Sequence, residues 1–512
     1  MKRLLSLILA CAMLAIAAPI ALAESTPLTT EPVTFKIAIG RQVLDLSDNF
    51  NEKLAAKNAE ADTGIHVEWV ELITDSSTER VNLMLASGDM PDAFIATLNE
   101  SQVSKNLSQF VVLNDMIEQY APNIKAQYDA IDGMWGKVTM TDGNIYTLAT
   151  GAYTNPENWA GGIPVINKAW LDKLGLAMPT TMDEFYDACV AVRDGDPNGN
   201  GQKDEIALEF CENDWCTHIM EYAGFWGFTG YSKVEDGKFI ATPLTDDFRA
   251  FLEYFHKMAK EGLLDVEGFS QTNQQWQTKA KDDRCFMFYT WTANGLFDEA
   301  KANEYVVFEP IKAGSADPVV SGEVNAFSGN RFGFAISKTC QNPELMLQWF
   351  DRQNVNTETK MTWRFGEEGL LWERDGDKVY MNYPEATEEM SVENMKYTYG
   401  NTDMIPALLM PDEIPLPNAD KSPTSAIRTN MVEQIKPFIP DEALPVRSVS
   451  AEKISERELI YTDLKAYLDG FVATSIMNGV TDAEWEAHLA NAEAYGISQW
   501  AQWYQDFIDG KI

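Results

Sequence analysis

The sequence predicts an α/β protein with parallel sheets and a helical segment at its C-terminus. Three observations indicate this fold class. Apolar or alternating segments typical of strands recur along the chain, helical segments of about ten residues separate them, and residues 452–512 show helical periodicity alone. Strands joined by helices form parallel sheets. The chain of 512 residues has room for roughly two to four domains.

The N-terminal part shows the alternation of strands and helices most clearly. We expect strands at 33–39, 66–70 and 91–96, and helices at 49–57 and 78–87. One helix follows each of the first two strands, so this part is predicted to contain βαβ units and a parallel sheet.

The rest of the chain continues this pattern at wider spacing. Further strands are expected at 163–166, 284–289 and 332–336, and a helix at 169–174 that ends at Gly175. Proline recurs through residues 406–445, which predicts loops and extended segments there.

Local signals mark two helix starts and one buried helix face. Thr181 and Glu184 have the spacing of a capping box, and Asn342 precedes a proline at the first helical position. In the C-terminal segment the predicted buried stripe consists of Leu459, Leu464, Tyr467, Leu468 and Phe471.

Residues 1–23 have the three parts of a secretory signal peptide. Lys2 and Arg3 form a basic start, an apolar stretch follows, and small residues at 21 and 23 fit a cleavage site after Ala23. We expect cleavage there rather than a lipid anchor at Cys11. The mature protein is therefore predicted to be exported, either periplasmic or associated with the extracellular cell surface.

The charge of the chain excludes several classes of partner. It has 40 Lys and Arg against 78 Asp and Glu, a formal charge of −38, which becomes −40 once Lys2 and Arg3 are removed. Nucleic-acid binders need clustered basic residues, and anionic lipid repels so acidic a surface. With 14 Trp, 18 Tyr and 25 Phe, the chain is also unlike a disordered protein.

The cysteines do not form a disulfide framework. Five remain after the leader is removed, an odd number in a chain of this size. Cys211 and Cys216 could close a small loop, or both could remain thiols. A zinc site is not expected, because no second Cys pair or His pair stands at ligand spacing.

One loop has the composition of a site for a hard cation. Residues 194–205 place oxygen-bearing side chains at alternate positions between glycines, as calcium requires. Counted from Asp194, the loop matches an EF-hand template through Asp194, Asp196, Asn198, Gly199 and Glu205. Counted from Asp196, it forms a tighter site whose ligands are Asp196, Asn198, Asn200, the Gln202 carbonyl, Asp204 and Glu205.

We favour the tighter register, because Asp204 and Glu205 then immediately precede the strand expected at Ile206. The alternative is a solvated acidic turn, since Asp, Asn and Gly are common turn formers. A single loop without a paired second hand predicts one structural Ca²⁺ ion rather than a calcium sensor.

No catalytic motif is present in the sequence. The patterns of serine hydrolases, zinc proteases, phosphate-binding loops and dinucleotide-binding folds are all missing. A pair of catalytic carboxylates has no sequence signature and could lie among the 78 acidic residues. We therefore expect a protein that is not an enzyme.

The order of several short motifs makes the chain resemble a known family. The motifs are residues 83–92, 112–124, 144–148, 167–176, 179–185, 260–265, 342–345, 366–372 and 479–486. In these motifs and in their order, the chain resembles the extracellular solute-binding proteins of carbohydrate ABC transporters, which belong to the maltose-binding-protein-like superfamily. It is most similar to the calcium-containing branch that binds alginate oligosaccharides, in which the positions of the tighter register hold calcium. Gram-positive relatives are usually lipoproteins, whereas this leader has the pattern of a cleaved signal peptide.

The resemblance implies a periplasmic-binding-protein type II fold, with two α/β lobes, a hinge, a ligand cleft and a helical C-terminal extension. The N-terminal lobe is expected to comprise residues 24–140 plus 332–373. The C-terminal lobe is expected to comprise residues 141–331 plus 374–512. Crossings between lobes are expected near 139–142, near 328–331 and after Glu373.

The implied function is that of the exported substrate-binding component of an ABC importer. Such a protein binds an oligosaccharide in the cleft and delivers it to the permease subunits. We expect a monomer with no nucleic-acid partner. The alternatives are a secreted glycoside hydrolase and a binder of a peptide or another polar solute.

Aromatic side chains are the expected ligand contacts, because sugars stack their C–H faces on indole rings. Trp291 aligns with a strand-end tryptophan that stacks on sugar in the maltose-binding relatives, and Trp215 falls near another aromatic subsite. The expected ligand contacts are Asn155, Trp159, Trp215, Trp226, Trp276, Trp291 and Trp363. The alternative for each tryptophan is packing inside a lobe.

Overall fold

A computed structural model of the chain describes residues 26–153, 160–293, 296–297, 299–322, 329–384, 390–418 and 423–512. The strands are β1 (Val33–Arg41), β2 (Ile65–Ile73), β3 (Ala93–Ile95), β4 (Thr147–Ala152), β5 (Ile163–Asn167), β6 (Ile206–Leu208), β7 (Ser232–Glu235), β8 (Lys238–Ala241), β9 (Cys285–Thr290), β10 (Tyr305–Val307), β11 (Asn330–Ile336), β12 (Trp372–Asp375), β13 (Lys378–Met381) and β14 (Leu408–Leu409).

The α-helices are α1 (Leu54–Thr63), α2 (Thr74–Ser87), α3 (Glu100–Lys105), α4 (Asn114–Tyr120), α5 (Pro122–Asp129), α6 (Met134–Val138), α7 (Lys168–Leu174), α8 (Met182–Gly195), α9 (Asp246–Lys260), α10 (Asn273–Lys281), α11 (Glu299–Ala302), α12 (Pro343–Arg352), α13 (Thr357–Phe365), α14 (Val392–Tyr399), α15 (Pro423–Ile435), α16 (Ala451–Asn478), α17 (Asp482–Ala494) and α18 (Ile497–Ile508). Short 3₁₀ helices span Phe50–Glu52, Leu107–Gln109, Ile219–Trp226, Thr242–Leu244, Val266–Phe269, Pro411–Glu413 and Lys436–Phe438.

The first sheet has six strands in the order β14-β4-β11-β3-β1-β2. β1 is parallel to β2 and β3, while β11 is antiparallel to β3 and β4. Ile37 and Ile39 face one hydrophobic core and Ala38 faces another, so helices cover both faces of the sheet. The predicted βαβ units are confirmed, although the sheet as a whole is mixed.

The second sheet has four strands in the order β10-β5-β9-β6. β6 is parallel to β9, and β5 is antiparallel to β9 and β10. Phe286 and Phe288 of β9 face two different cores, so this sheet is also buried on both sides. The carboxyl ends of β6 and β9 lie at the same edge of the sheet, because the two strands are parallel.

The C-terminal segment is helical, as the sequence predicted. α16 packs against α9, and α18 packs against β8, beside the second sheet. Leu464 and Leu468 are buried, but Leu459 is 80% exposed, so the predicted stripe was wrong at this residue. Leu459 lies about 140° around the helix from Leu464, outside the buried face. Among the helices that the structure describes, none is long and apolar enough to cross a membrane.

The sequence signals for helix starts predicted the presence of a helix more accurately than its first residue. α1 starts at Leu54 rather than at 49, because Lys53 has extended backbone angles that separate it from the preceding 3₁₀ turn. Thr181 and Glu184 form the predicted capping box. Asn342 precedes a proline-started helix as expected, but its side chain makes no capping hydrogen bond. α15, in the proline-rich region, was not predicted.

Sheet membership shows where the chain passes from one sheet to the other. The chain leaves the first sheet after Ala152, enters the second at Ile163, returns before Asn330, and passes to α15 after Leu409. The first crossing therefore lies later than 139–142. Those residues form a turn closed by Gly143 N donating to Met140 O (2.9 Å).

Two strands therefore lie in a different sheet from the one expected. β4 and β14 fall within the residues predicted for the C-terminal lobe, yet both belong to the first sheet. The remaining lobe bounds stay a prediction.

Candidate functional site

Two tryptophans of the expected set lie together at the carboxyl edge of the second sheet. Trp291 directly follows β9, and Trp215 lies in the loop that follows β6. Their ring centroids are 5.6 Å apart, with the ring planes inclined by 45°. Ligands of open α/β sheets bind outside the carboxyl ends of the strands, so the position of the pair favours a binding role.

Both indoles are exposed to solvent, Trp215 at 60% and Trp291 at 42%. Large aromatic side chains are normally well buried, because exposing their apolar surface is unfavourable. An adjacent exposed pair therefore indicates a surface that another molecule covers.

Arg428 of α15 holds Trp291 in place. Its guanidinium carbon lies 3.7 Å from the centroid of the Trp291 ring. Its Nη1 donates to the Trp291 carbonyl (2.7 Å), and its Nη2 donates to the Ala160 carbonyl (2.8 Å). Burial lowers the pKa of Arg428. No sequence pattern indicated Arg428, because loops and extended segments were expected in the proline-rich region.

The loop that carries Trp215 is fixed by hydrogen bonds. Asp214 Oδ1 accepts from the backbone N–H of Cys216 (2.9 Å) and from the hydroxyl of Thr217 (3.1 Å). Cys211 N donates to Thr217 O (3.0 Å) and closes the base of the loop. Cys211 and Cys216 are buried free thiols rather than a disulfide. Polar contacts therefore hold the loop without a covalent bridge.

Three of the expected ligand tryptophans are buried. Trp226 is 3% exposed, Trp276 is 2% exposed and Trp363 is 1% exposed, each within a hydrophobic core. No ring face is left for a ligand, so we correct their assignment from ligand contact to packing. Two more expected contacts, Asn155 and Trp159, lie outside the described residues.

Two carboxyl groups near this edge are buried rather than open to solvent. Glu209 directly follows β6 and accepts a hydrogen bond from Gln271 Nε2 (2.6 Å). Burial, and to a lesser extent the charge of Asp265, raises the pKa of Glu209 to about 8. Burial also raises the pKa of Glu221, whose carboxylate lies 3.3 Å from His218 Nε2.

The carboxyl edge of the first sheet is covered by residues 400–404. Asn401 Nδ2 donates to the carbonyl of Gly40 at the end of β1 (3.0 Å). Asp403 is exposed, and its carboxylate lies 3.0 Å from Arg364 Nη2. This ion pair was missed, because its members are distant in sequence and belong to no motif.

Two depressions lie on the side of the first sheet. One, of about 350 Å³, is lined by residues that include Lys36, Arg80 and Leu83. The other, of about 400 Å³, is lined by residues that include Leu54 and Tyr399. Neither contains the exposed tryptophan pair, so we do not place the principal ligand there.

The predicted cation loop follows α8 and turns back through left-handed residues. Asp196 has φ 50° and ends the helix, and Gly199 and Gly201 have φ of 76° and 75°. Asp196 Oδ2 accepts from Gly201 N (3.1 Å), and Asn198 Oδ1 accepts from Asn200 N (3.0 Å). Asp194 points away and pairs with Arg193, which favours the register that begins at Asp196.

Several acidic oxygens in this loop are buried without donors. Asp196 Oδ1 and both carboxylate oxygens of Glu205 accept no hydrogen bond from any residue of the described ranges. Burial raises the pKa of Glu205, and the charges of Asp196 and Asp204 raise it further. Buried carboxylate oxygens without donors fit a hard cation.

The loop nevertheless lacks a converged set of acidic ligands. Within the described part of the chain, no three His, Cys, Asp or Glu side chains are close enough together to hold a metal. Asp204 Oδ1 instead accepts from Asn200 Nδ2 (3.0 Å) and Asn198 Nδ2 (3.3 Å). Cation binding would therefore require the amide groups of Asn198 and Asn200 to turn.

Comparison with known proteins places the chain in a family. A sequence profile described as bacterial extracellular solute-binding protein matches residues 45–351, more than half of the chain. The chain belongs to this family. The family predicted from the short motifs is thereby confirmed.

Relatives within the family are similar along most of their length. Fructooligosaccharide ABC transporter substrate-binding protein FusA of Streptococcus pneumoniae is 26% identical over 490 residues, which is 90% of this chain and 87% of that protein. Polygalacturonan/rhamnogalacturonan-binding protein YtcQ of Bacillus subtilis is 26% identical over 462 residues, 87% of this chain and 85% of that protein.

Solved structures show the same fold. FusA of S. pneumoniae in complex with kestose superposes with a TM-score of 0.80 at 23% identity, over 93% of this chain and 99% of that one. A FusA EF-hand mutant in complex with fructo-nystose gives a TM-score of 0.79 over the same shares. Alginate-binding protein AlgQ2 without calcium ion gives 0.73 at 20% identity, over 95% of this chain and 99% of that one. The predicted periplasmic-binding-protein fold is confirmed.

Proposed function

We propose that this family member is the exported substrate-binding component of an ABC importer, and that it binds an oligosaccharide between its two sheets. The observation that carries the proposal is the exposed pair of Trp215 and Trp291 at the carboxyl edge of the second sheet. Family membership supports it, as do relatives of similar length that are named for binding oligo- or polysaccharides.

The chemistry of the two sheet edges suits a hydroxyl-rich ligand. Indole faces stack on the C–H surfaces of sugar rings, while hydroxyl groups need polar partners. Asp403 and Arg364 at the edge of the first sheet provide an acceptor and a donor. We infer that the two sheets form the two lobes, and that a ligand touching both edges favours their closure.

A binding role is favoured over hydrolysis. Glycosidases use two carboxyl groups roughly 5–10 Å apart that both reach the substrate. Near the tryptophan pair, Glu209 and Glu221 are 0% and 1% exposed. Asp214, which precedes Trp215, is half-buried and accepts hydrogen bonds from Cys216 and Thr217 of its own loop. The relatives are substrate-binding proteins, which agrees with this view.

We also propose one structural Ca²⁺ ion in the loop at 196–205. Its ligands would be Asp196, Asn198, Asn200, the carbonyl of Gln202, Asp204 and Glu205. When bound, the ion neutralises carboxylates that otherwise repel one another. The donorless oxygens of Asp196 and Glu205 support this assignment, as do relatives described by an EF-hand or by calcium.

Export and delivery to a permease complete the proposal. The leader at 1–23, with cleavage after Ala23 and no lipid at Cys11, lies outside the described residues. The family is extracellular, which supports export of the mature chain. We expect a monomer that docks on the membrane permease when its ligand is bound.

Isothermal titration calorimetry with three probes tests the function. The probes are kestose, a galacturonate trisaccharide and a tripeptide, and each mixture is then analysed for products. Binding of either saccharide without products supports the proposal. Saccharide cleavage would replace it with hydrolysis, and binding of the tripeptide alone would replace it with peptide transport. Leu459→Ala, at an exposed site on α16 distant in sequence from the pair, is the control for Trp215→Ala.

A further inference from the structure

The proposed cation loop and the tryptophan pair lie at opposite ends of the same two strands. β6 begins directly after Glu205, and β9 begins directly after Arg284. These strands are parallel neighbours, with Ile206 opposite Cys285. Their amino ends therefore lie at the loop and their carboxyl ends lead to Trp215 and Trp291. At 3.3 Å per residue, the six residues of β9 separate the two sites by roughly 20 Å.

The loop holds the amino ends of both strands. Arg284 Nε donates to the backbone carbonyl of Asp204 (3.1 Å). Ile206 N donates to Arg284 O (2.6 Å), which closes the contact between β6 and the residue before β9. A change in the loop therefore acts on both strands at once.

β6 and β9 form a rigid connection between the cation loop and the tryptophan pair. Every residue of β9 is buried. Tyr222 donates its hydroxyl proton to the carbonyls of Glu209 (2.8 Å) and Met287 (3.2 Å), and so ties the far end of β6 to β9. Glu209 N also donates to Met287 O (3.0 Å). Close-packed interiors transmit such displacements rather than absorbing them.

We propose that the loop at 196–205 and the tryptophan pair are thermodynamically linked through β6 and β9, with Arg284 as the positioning residue. Filling the loop with Ca²⁺ fixes the starts of both strands and narrows the range of positions open to Trp215 and Trp291. An ordered pair loses less conformational freedom when a ligand binds. The link to sugar affinity rests on the proposed saccharide binding, whereas the link between loop and tryptophans rests only on the proposed Ca²⁺ site.

Thermodynamic linkage requires calcium and the saccharide to change each other's affinity equally. If calcium raises the affinity for a saccharide by a given factor, the saccharide raises the affinity for calcium by the same factor. We expect a factor of about five to ten, at the lower end of measured couplings between sites.

Fluorine NMR of the 5-fluorotryptophan-labelled protein tests the link without any sugar. The resonances of Trp215 and Trp291 are assigned with Trp215→Phe and Trp291→Phe, and Ca²⁺ binding is followed in parallel by calorimetry. We expect calcium to shift or sharpen both resonances, while those of Trp500 and Trp503 in α18 stay unchanged. Calcium binding that leaves both site resonances unchanged, or no calcium binding at all, overturns the proposal.

Arg284→Gln distinguishes positioning from a general structural role. It removes a positive charge near Asp204, so calcium affinity is expected to hold or rise, while the response of Trp215 and Trp291 shrinks. Arg284→Lys keeps a donor and should restore part of the response. Asp194→Asn, at an exposed residue outside the tighter register, is the control. An unchanged response in a folded Arg284→Gln protein contradicts the proposal.

Kestose titrations with calcium and with chelator separate this inference from the proposed function. If the protein binds calcium but its affinity for kestose is the same with calcium and with chelator, the link is contradicted. The proposed saccharide binding is then still supported. Fluorine shifts with calcium in a protein that binds no saccharide support the link and count against the function.

Discussion

The carboxyl edges of the two sheets present opposite chemistry. At the first edge, residues 400–404 cover the strand ends and the charged groups Asp403 and Arg364 are paired. At the second, Trp215 and Trp291 are exposed side by side. Stacking on apolar surface provides affinity, while a paired charge mainly selects and orients hydroxyl groups. The second edge is therefore expected to supply most of the binding free energy and the first edge most of the specificity.

The largest expected effect is loss of the tryptophan pair. Trp215→Ala should weaken saccharide binding by about 2 kcal/mol, roughly thirtyfold in Kd, and the double variant with Trp291→Ala should abolish measurable binding. Calorimetry measures both, and Leu459→Ala should bind like the wild type. Full saccharide affinity in the double variant would contradict the assignment of most of the binding free energy to the second edge.

Calcium should stabilise the lobe that carries the second edge. At a concentration about a hundred times its Kd, the ion should raise the free energy of unfolding by about 2.7 kcal/mol, because it binds the folded state alone. Thermal unfolding with calcium, magnesium or chelator measures this. Glu205→Gln should lose most of the gain, whereas Asp194→Asn should keep it. A melting temperature that is unchanged by the chelator would contradict the Ca²⁺ site at 196–205.

Glu209 should make stability at the second edge depend on pH. Its pKa is raised from 4.5 to about 8, so the folded protein holds a proton that the unfolded chain releases. Between these two pH values the folded state binds more protons, and stability therefore falls as pH rises.

Between about pH 6 and about pH 7.5, Glu209→Gln should remove about 2 kcal/mol of this pH dependence, because the amide resembles the protonated acid and each pH unit in this range corresponds to about 1.4 kcal/mol. Urea unfolding at a series of pH values measures it, with the exposed Glu253→Gln as the control. A wild-type slope in Glu209→Gln would contradict the raised pKa.

Arg428→Gln should have a smaller effect than removal of either indole. It removes the cation over Trp291 and two hydrogen bonds to backbone carbonyls. We expect about 1 kcal/mol of lost saccharide affinity, about fivefold in Kd, through a less ordered Trp291. Arg249→Gln, which removes a half-buried arginine of α9 that pairs with Glu253 and Asp482, serves as the control. Equal losses in both variants would mean that Arg428 acts through charge alone.

The smallest effect is expected at the first edge. Asp403→Asn keeps the size of the side chain and removes its charge, so overall affinity should change by less than about 1 kcal/mol. The ranking of saccharides should change more than the affinity for any one of them. Titration of kestose and a galacturonate trisaccharide measures both. A loss of saccharide affinity as large as that of Trp215→Ala would contradict the proposal that the second edge supplies affinity and the first edge specificity.

Local patterns predicted the framework of this protein well. β1, β2 and β3, the capping box at Thr181 and the helical C-terminus each depend on periodicity or on neighbouring residues. They are visible in the sequence for that reason. The first crossing was placed too early, because a turn and a hinge share the same residue types. α15 was missed, because proline disfavours helices except in their first turn.

The candidate site was only partly predictable. Seven residues were expected to contact ligand, and the structure exposes Trp215 and Trp291 while burying Trp226, Trp276 and Trp363. Residue type marks a tryptophan as able to stack on sugar, but burial depends on what packs against it. Arg428, Arg364 and Asp403 belong to no motif, and folding brings them to the two edges from distant positions.

The sequence by itself determined the family, the α/β class and the acidic loop at 196–205, because these depend on composition, spacing and the order of short motifs. Only the tertiary structure decided which tryptophans are exposed, which sheet holds each strand, and that one pair of parallel strands joins the loop to Trp215 and Trp291. The physical reason is that exposure and adjacency arise from contacts between residues far apart in the chain. No local pattern records those contacts.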